Sequence, residues 1–218
     1  MLREIKTGKP TNDFLFLDIG ANRGQTISSI RLFQNSRIVS IEPLPWLHKS
    51  LVERFKDDKN LKIKNFFVSE NTHDVTIHVP SYNGVLFDGL ASGSPQEASG
   101  FFEPNKFLFF DRRKLELKKF EVPSKPLDEF DLAPDFMKVD VQGFELSVLR
   151  GARKTIEKYQ PIIVLERPKK DEEVAFLEEY GYRPWKYKKG AFTPGLGANN
   201  IFFLCDHHHS MFSSRFES

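Results

Sequence analysis

Several features that would have classified this chain at once are scarce or missing. It has one cysteine, Cys205, among 218 residues, so an intramolecular disulfide framework is excluded and a reducing compartment is expected. Net charge is nearly absent: 32 basic residues against 30 acidic ones leave +2, and there is no basic arm, which argues against nucleic acid or an anionic membrane as partner. No apolar run approaches the roughly 20 residues needed to cross a bilayer. The opening MLREIKTGKPTND lacks the apolar core of a signal peptide. No internal repeat is visible. The expectation is a soluble, cytoplasmic protein, a single domain over residues 1–218 that buries about 70% of its unfolded surface.

What the chain does have is strands that end on acids. Phe14 to Leu17 form a continuous apolar run of the kind buried on both faces of a parallel sheet. The run stops at Asp18, Gly20 and Gly24 follow in a tight turn, and Ile27, Ile30 and Phe33 then recur at helical spacing. Strand, turn and helix in that order place a ligand at the strand's carboxyl end. A dinucleotide turn needs G-x-G-x-x-G, but Asn22 stands where the second glycine would let the backbone touch a pyrophosphate. A strand-end carboxylate at Asp18 would repel phosphate and pair with a cationic amino group. S-adenosylmethionine offers that amino group, a sulfonium and no phosphate. A second strand, RIVSIEP, ends on Glu42, about twenty residues beyond the turn, where an acid accepts both ribose hydroxyls. Glu42 suits either cofactor. An NAD(P)-dependent oxidoreductase and a catalytically silent cofactor-binding or scaffold module therefore stay open at this point.

Further along, Pro45 opens a helix carrying Leu47, Leu51 and Phe55, and a third strand is expected over 61–68, with Ser69 beyond it as a polar contact for an adenine ring. Residues 72–80 alternate as an added strand, and 115–122 read as another. Between them lies a segment rich in glycine and in the chain's 22 phenylalanines. With its flanking strand it forms an insertion over 81–126, read as an acceptor lid hinged on glycines, or as aromatics packed on the sheet or at a dimer interface. PDFMKVDV gives a strand ending at Asp140, residues 145–159 an amphipathic helix, and PIIVLE a strand ending at Glu166. A helix with Val174, Leu177 and Tyr180 and a last strand over 199–204 complete a mostly parallel sheet with helices on both faces.

The pieces FLDIGANRGQT, SIEP, VPSKPLDEF and PDFMKVDVQGFELSVLRGA, with PIIVLE after them, run in this order from Phe14 to Leu204 and resemble the FkbM family of S-adenosylmethionine-dependent methyltransferases. The resemblance implies a Rossmann-like, seven-stranded class I methyltransferase sheet of α/β class. It also implies methyl transfer to an oxygen, often of a sugar, glycan or natural product. Asp18, Gly20 and Gly24 match the family's cofactor turn, and Glu42 its ribose acid. Asp140, Gly143 and Glu145 match its D-x-x-G-x-E signature, with Gln142 where many members carry Glu. The amino-terminal helical extension that commonly covers the cofactor is not seen before Phe14.

Methyl transfer to a hydroxyl asks the protein to position two reactants and remove a proton. Asp140, Glu145 and Glu166 are the candidate catalytic residues, and Asn22, Ser69 and Asp140 join the candidate cofactor contacts. Glu145, in the first turn of its helix, serves equally well as a cap. Asp140 and Glu166, at the ends of adjacent strands, could instead hold Mg²⁺ over a sugar hydroxyl. Arg112, Arg113 and Lys114 read as a solvated face. The tail Asp206-His207-His208-His209 lacks the ligand spacing of a structural zinc site. The expected partner is a small-molecule or glycan hydroxyl acceptor; oligomeric state is left open.

Overall fold

The computed structural model describes residues 13–100, 102, 111–166, 171–197, 200–212 and 216. Strand β1 (Leu15–Ile19) is buried along its whole length. Its alternating side chains feed two separate cores. Leu15, Leu17 and Ile19 pack with Val148, Leu149 and Ile156, whereas Phe16 packs with Ile27, Ile30 and Leu51. Burying each such side chain is worth about 1.5–3 kcal/mol, so helices are held on both faces of this strand.

The elements follow as α1 (Gln25–Arg31), β2 (Arg37–Ile41), α2 (Pro45–Arg54), β3 (Leu61–Lys64), β4 (Phe67–Val68), β5 (His73–Tyr82), β6 (Val85–Leu86), α3 (Pro95–Gly100) and β7 (Leu115–Lys125). Then come β8 (Phe136–Val139), α4 (Glu145–Gly151), α5 (Arg153–Tyr159), β9 (Ile162–Glu166), α6 (Asp171–Glu178), β10 (Arg183–Lys188), β11 (Ala191–Pro194) and β12 (Asn200–Leu204). The main sheet has eight strands in the order β11-β10-β12-β9-β8-β1-β2-β3. The five strands from β9 to β3 run parallel, and β12, β10 and β11 are antiparallel to their neighbours. The chain leaves β1 toward β2 and later returns on the other side as β8. That reversal opens a crevice at the carboxyl ends of β1 and β8.

Four local expectations are corrected here. The sheet has eight strands rather than seven, because β11 folds back on β10 through Lys189 and Gly190, both at positive φ as a tight hairpin turn requires. The expected third strand divides: β3 stays in the main sheet while β4 joins a second sheet of order β4-β7-β5-β6. Asn65 fixes the division, its amide donating to the Glu42 and Pro43 carbonyls at 2.8 and 2.9 Å. The helix expected over 145–159 breaks at Ala152. There Asp128 caps a fresh helix start, accepting the Lys154 and Thr155 N–H groups and the Thr155 hydroxyl at 2.8–2.9 Å. The strand ending at Asp140 pairs as β8 only over Phe136–Val139, which leaves Asp140 just beyond the sheet.

The strands expected over 72–80 and 115–122 pair with each other. β5 and β7 form a long antiparallel ladder from His73↔Ser124 to Tyr82↔Leu115. Its inner face, Val75, Ile77, Val79 and Val122, packs on Leu44 and Leu47 of the cofactor side of the main domain. Phe101, Phe107, Phe109 and Phe110 of the expected lid lie outside the described residues.

Candidate active site

A cavity of about 260 Å³ sits in the crevice at the strand ends, and the ends of β1, β2, β8 and β9 all reach it. At one side the turn after β1 is pinned to β2, with the Gly20 and Ala21 N–H groups donating to the Ile41 carbonyl at 3.0 and 3.1 Å. Gly20 has φ +87, and a Cβ there would collide with the Asp140 carbonyl. Only glycine permits this close crossing of two strand ends. Gly24 caps α1 at φ +79, where a side chain would meet Leu51 and Phe55. It shapes the turn from behind and does not line the cavity.

Glu42 does line it. Its two carboxylate oxygens accept the Asn22 and Leu44 N–H groups at 2.7 and 2.9 Å, fixing the carboxylate at the cavity wall. Burial pushes its pKa up to about 7, against the pull of those two hydrogen bonds. Beside it Asn22 stands at φ +49 with a buried Oδ1 that has no partner among the described residues. A crevice with a glycine cradle, a buried carboxylate and an orphan amide oxygen fits an adenosine ribose and the chain attached to it.

Asp18 departs from the expectation. It is buried beneath the turn rather than lining the cavity, and it lies in register with Ser40 on β2 and Lys138 on β8. The Ser40 hydroxyl donates to Oδ2 at 3.2 Å. Burial raises its pKa to about 6, opposed chiefly by the Lys138 charge. The strand-end acid thus faces a lysine inside the protein. Ser69 also lies off the cavity lining: its hydroxyl donates to the Asn71 carbonyl at 2.6 Å and meets Ser124 Oγ at 2.8 Å. A phenylalanine, Phe67, and Ile77 of β5 line the space instead.

At the other side Asp140, Gln142 and Glu166 converge. Gln142 Nε2 donates to Glu166 Oε2 at 2.9 Å and to Asp140 Oδ1 at 3.3 Å, and Lys138 Nζ lies 2.7 Å from Asp140 Oδ2. The two carboxyls lie near enough that the protonated one can donate a hydrogen bond to the other. Burial opposes ionisation of Asp140, but the bond from Glu166 and the Lys138 charge outweigh it and hold Asp140 below the usual carboxylate range. The same bond, with burial and the Asp140 charge, raises Glu166 to about 7. The two therefore titrate as a coupled pair, with Glu166 the member raised toward neutrality. Glu145 is placed elsewhere: both of its oxygens accept the Gly143 N–H, at 3.0 and 3.2 Å, so it ties the turn that precedes its own helix and lies off the cavity lining. The expected Mg²⁺ site does not fit either, since an ammonium and an amide already occupy the carboxylate faces that a hard cation would need.

The insertion roofs both sides. Asp88 accepts Arg23 Nη2 from the turn at 2.6 Å and Trp46 Nε1 from α2 at 3.3 Å. Ser92 Oγ donates to the Gln142 carbonyl at 2.5 Å. A Cβ at Gly143 would run into the Glu97 carboxylate, and one at Gly93 into the Phe144 ring. Asp88, Ser92, Lys138 and the bridging role of Gln142 were not anticipated. One signal for Lys138 was available, a cation within the apolar run FMKV.

Cys205, His207 and His208 bring ligand-type atoms within 4.8 Å of one another. His208, however, is fully engaged: Nδ1 accepts the Cys205 N–H and Nε2 meets the Gln160 carbonyl, each at 2.9 Å. Burial lowers its pKa to about 4, so it acts as a neutral buried bracket.

An open α/β sheet with a buried acid, Glu42, just past β2 and two converging acids, Asp140 just past β8 and Glu166 at the end of β9, has the crevice of a nucleoside-cofactor enzyme. The chain matches the Methyltransferase FkbM domain over residues 18–184 and belongs to the FkbM family of S-adenosylmethionine-dependent methyltransferases. It is similar in fold to the methyltransferase FkbM of Methylobacillus flagellatus KT, at 19% identity and a TM-score of 0.55, over 91% of this chain and 46% of that one. The chain thus spans about half the length of that protein. Aeropyrum pernix fibrillarin with natively bound S-adenosyl-L-methionine also aligns, at 13% identity and a TM-score of 0.47, over 88% of this chain and 66% of that one. No curated protein matches the chain. Among the described residues no helix is long and apolar enough to cross a membrane.

Proposed function

We propose that this chain methylates a hydroxyl oxygen of a small-molecule, sugar, glycan or natural-product acceptor. The observation that carries this reading is the Asp140–Glu166 pair. A hydroxyl must lose a proton as it is alkylated, and a carboxyl with a pKa of about 7 is suited to take that proton near neutral pH. S-adenosylmethionine supplies an activated methyl group when bound. Glu42 and Asn22 would hold its ribose, and Gly20 would let it pass close to the backbone. Gln142 orients both carboxyls, and Lys138 keeps the charge on Asp140 so that Glu166 is the group that gains and loses the proton. No step runs through a metal. The insertion, seated on Gln142 and Gly143, acts as the acceptor lid.

Transfer of labelled methyl from S-adenosylmethionine across a panel of free sugars, oligosaccharides and glycosylated natural products tests the reading. Label in an alkali-stable methyl ether is expected. Label on nitrogen or carbon, or in an alkali-labile ester, would overturn it.

A further inference from the structure

Which group reads the base of the cofactor follows from the two ends of the cavity. Glu42 marks the ribose position, and the space from Gly20 toward Asp140 and Glu166 is the reacting end. The base then lies on the α2 side of Glu42. The wall there is apolar: Pro43, Leu44, Leu47, Phe67 and Ile77. Such a slot accepts a flat purine by its faces but supplies nothing to its polar edge. Asp88 is set over this slot. Its side chain is only 11% exposed, it lines the cavity, and its charge acts on Glu42. The Trp46 indole, from α2 itself, holds it on the base side. Each Asp88 oxygen has one partner and keeps a second lone pair. Ser69, the polar residue next to the end of β4, is committed to Asn71 and Ser124.

We propose that Asp88 is the specificity-determining residue for the adenine, accepting a hydrogen bond from its exocyclic amine, so that the insertion reads the cofactor as well as covering the acceptor. This rests on the cavity being the S-adenosylmethionine site. A buried carboxylate pairs with an N–H donor but repels the carbonyl that hypoxanthine presents at the same position, and a site built for a donor rejects an analogue lacking it.

The test is calorimetric, with S-adenosylhomocysteine and S-inosylhomocysteine binding to the full chain and to Asp88→Asn and Arg23→Ala. The wild type is expected to favour the adenosine ligand by about tenfold or more, the size of one charge-assisted hydrogen bond. Asp88→Asn, whose amide donates to a carbonyl, should collapse or invert that ratio. Arg23→Ala loosens the roof without changing the reading group, so it should weaken both ligands alike and keep the ratio. An unchanged ratio in Asp88→Asn, or a ratio lost equally in Arg23→Ala, overturns the inference while leaving the cofactor site standing. Failure of the wild type to bind either ligand overturns the cofactor reading and this inference with it.

Discussion

The two ends of the cavity are built in opposite ways. The cofactor end is a backbone object: the Gly20 and Ala21 N–H groups are tied to β2, and Glu42 is clamped by two more N–H groups, from Leu44 beside it and from Asn22 in the turn after β1. The acceptor end is a side-chain object, in which Lys138, Asp140, Gln142 and Glu166 come from two strands and a loop and are roofed by a distant insertion. Binding of a constant ligand is thus assigned to geometry that few substitutions can alter. On the proposed function, chemistry and acceptor choice fall to side chains and to a loop that also sets Asp88 over the cofactor end.

The sharpest way to break this division is at Glu42. Its replacement by alanine should weaken S-adenosylhomocysteine binding by about a hundredfold, the worth of two hydrogen bonds to a charged group, as read by calorimetry. Glu166→Gln should do the reverse. It should lower kcat/KM by about a hundredfold while leaving S-adenosylhomocysteine affinity within roughly twofold. The pH profile sharpens this second case. Glu166 must give up its proton to act as base, so kcat/KM should rise as pH climbs through about 7 and then level off. In Glu166→Gln that rise should vanish; a profile identical to wild type would remove Glu166 from proton transfer.

Gly20 is where the two ends touch, so Gly20→Ala should damage both. Its left-handed backbone and the collision with the Asp140 carbonyl together should cost about 2 kcal/mol or more, a Tm loss of roughly 4–8 °C by scanning calorimetry. The smallest expected effect is none: EDTA should leave methyl transfer unchanged, because Lys138 and Gln142 do the work a cation would do at the acid pair. Loss of activity restored by Mg²⁺ would show that the acceptor end rearranges to hold a metal.

The same contrast governs what could be read from sequence. An apolar run, a turn and an acid at the next strand end are enough to bring Gly20, Asn22 and Glu42 to one crevice. That Asp18 lies off the cavity lining was not legible, because a position at a strand end says nothing of which face it joins. Register with Ser40 and Lys138 turns it inward, and that register is a property of three strands rather than one. Ser69 lies off the lining because β4 left the main sheet, a departure that goes with the Asn65 contacts and pairing with β7. Asp140 and Glu166 were readable as neighbours from parallel β8 and β9. The Gln142 bridge and the Asp88 contacts depend on side chains meeting across long sequence separations, which periodicity does not encode. The main sheet followed from alternation of apolar runs and helices. The β10–β11 hairpin did not, because its strands are only half-buried and β10 carries charged residues along its length.

The ladder between β5 and β7 has its roots side by side. His73 lies opposite Ser124, and the Ser124 hydroxyl clasps the His73 carbonyl at 2.7 Å. The chain therefore departs from and rejoins the main domain at a single point, like a drawer on one rail. A segment anchored in this way can change length or sequence at its tip for a closure cost that grows only logarithmically. Exchange of the stretch between β5 and β7 among relatives, with the rail and Asp88 kept, is accordingly the direct test of whether this stretch selects the acceptor.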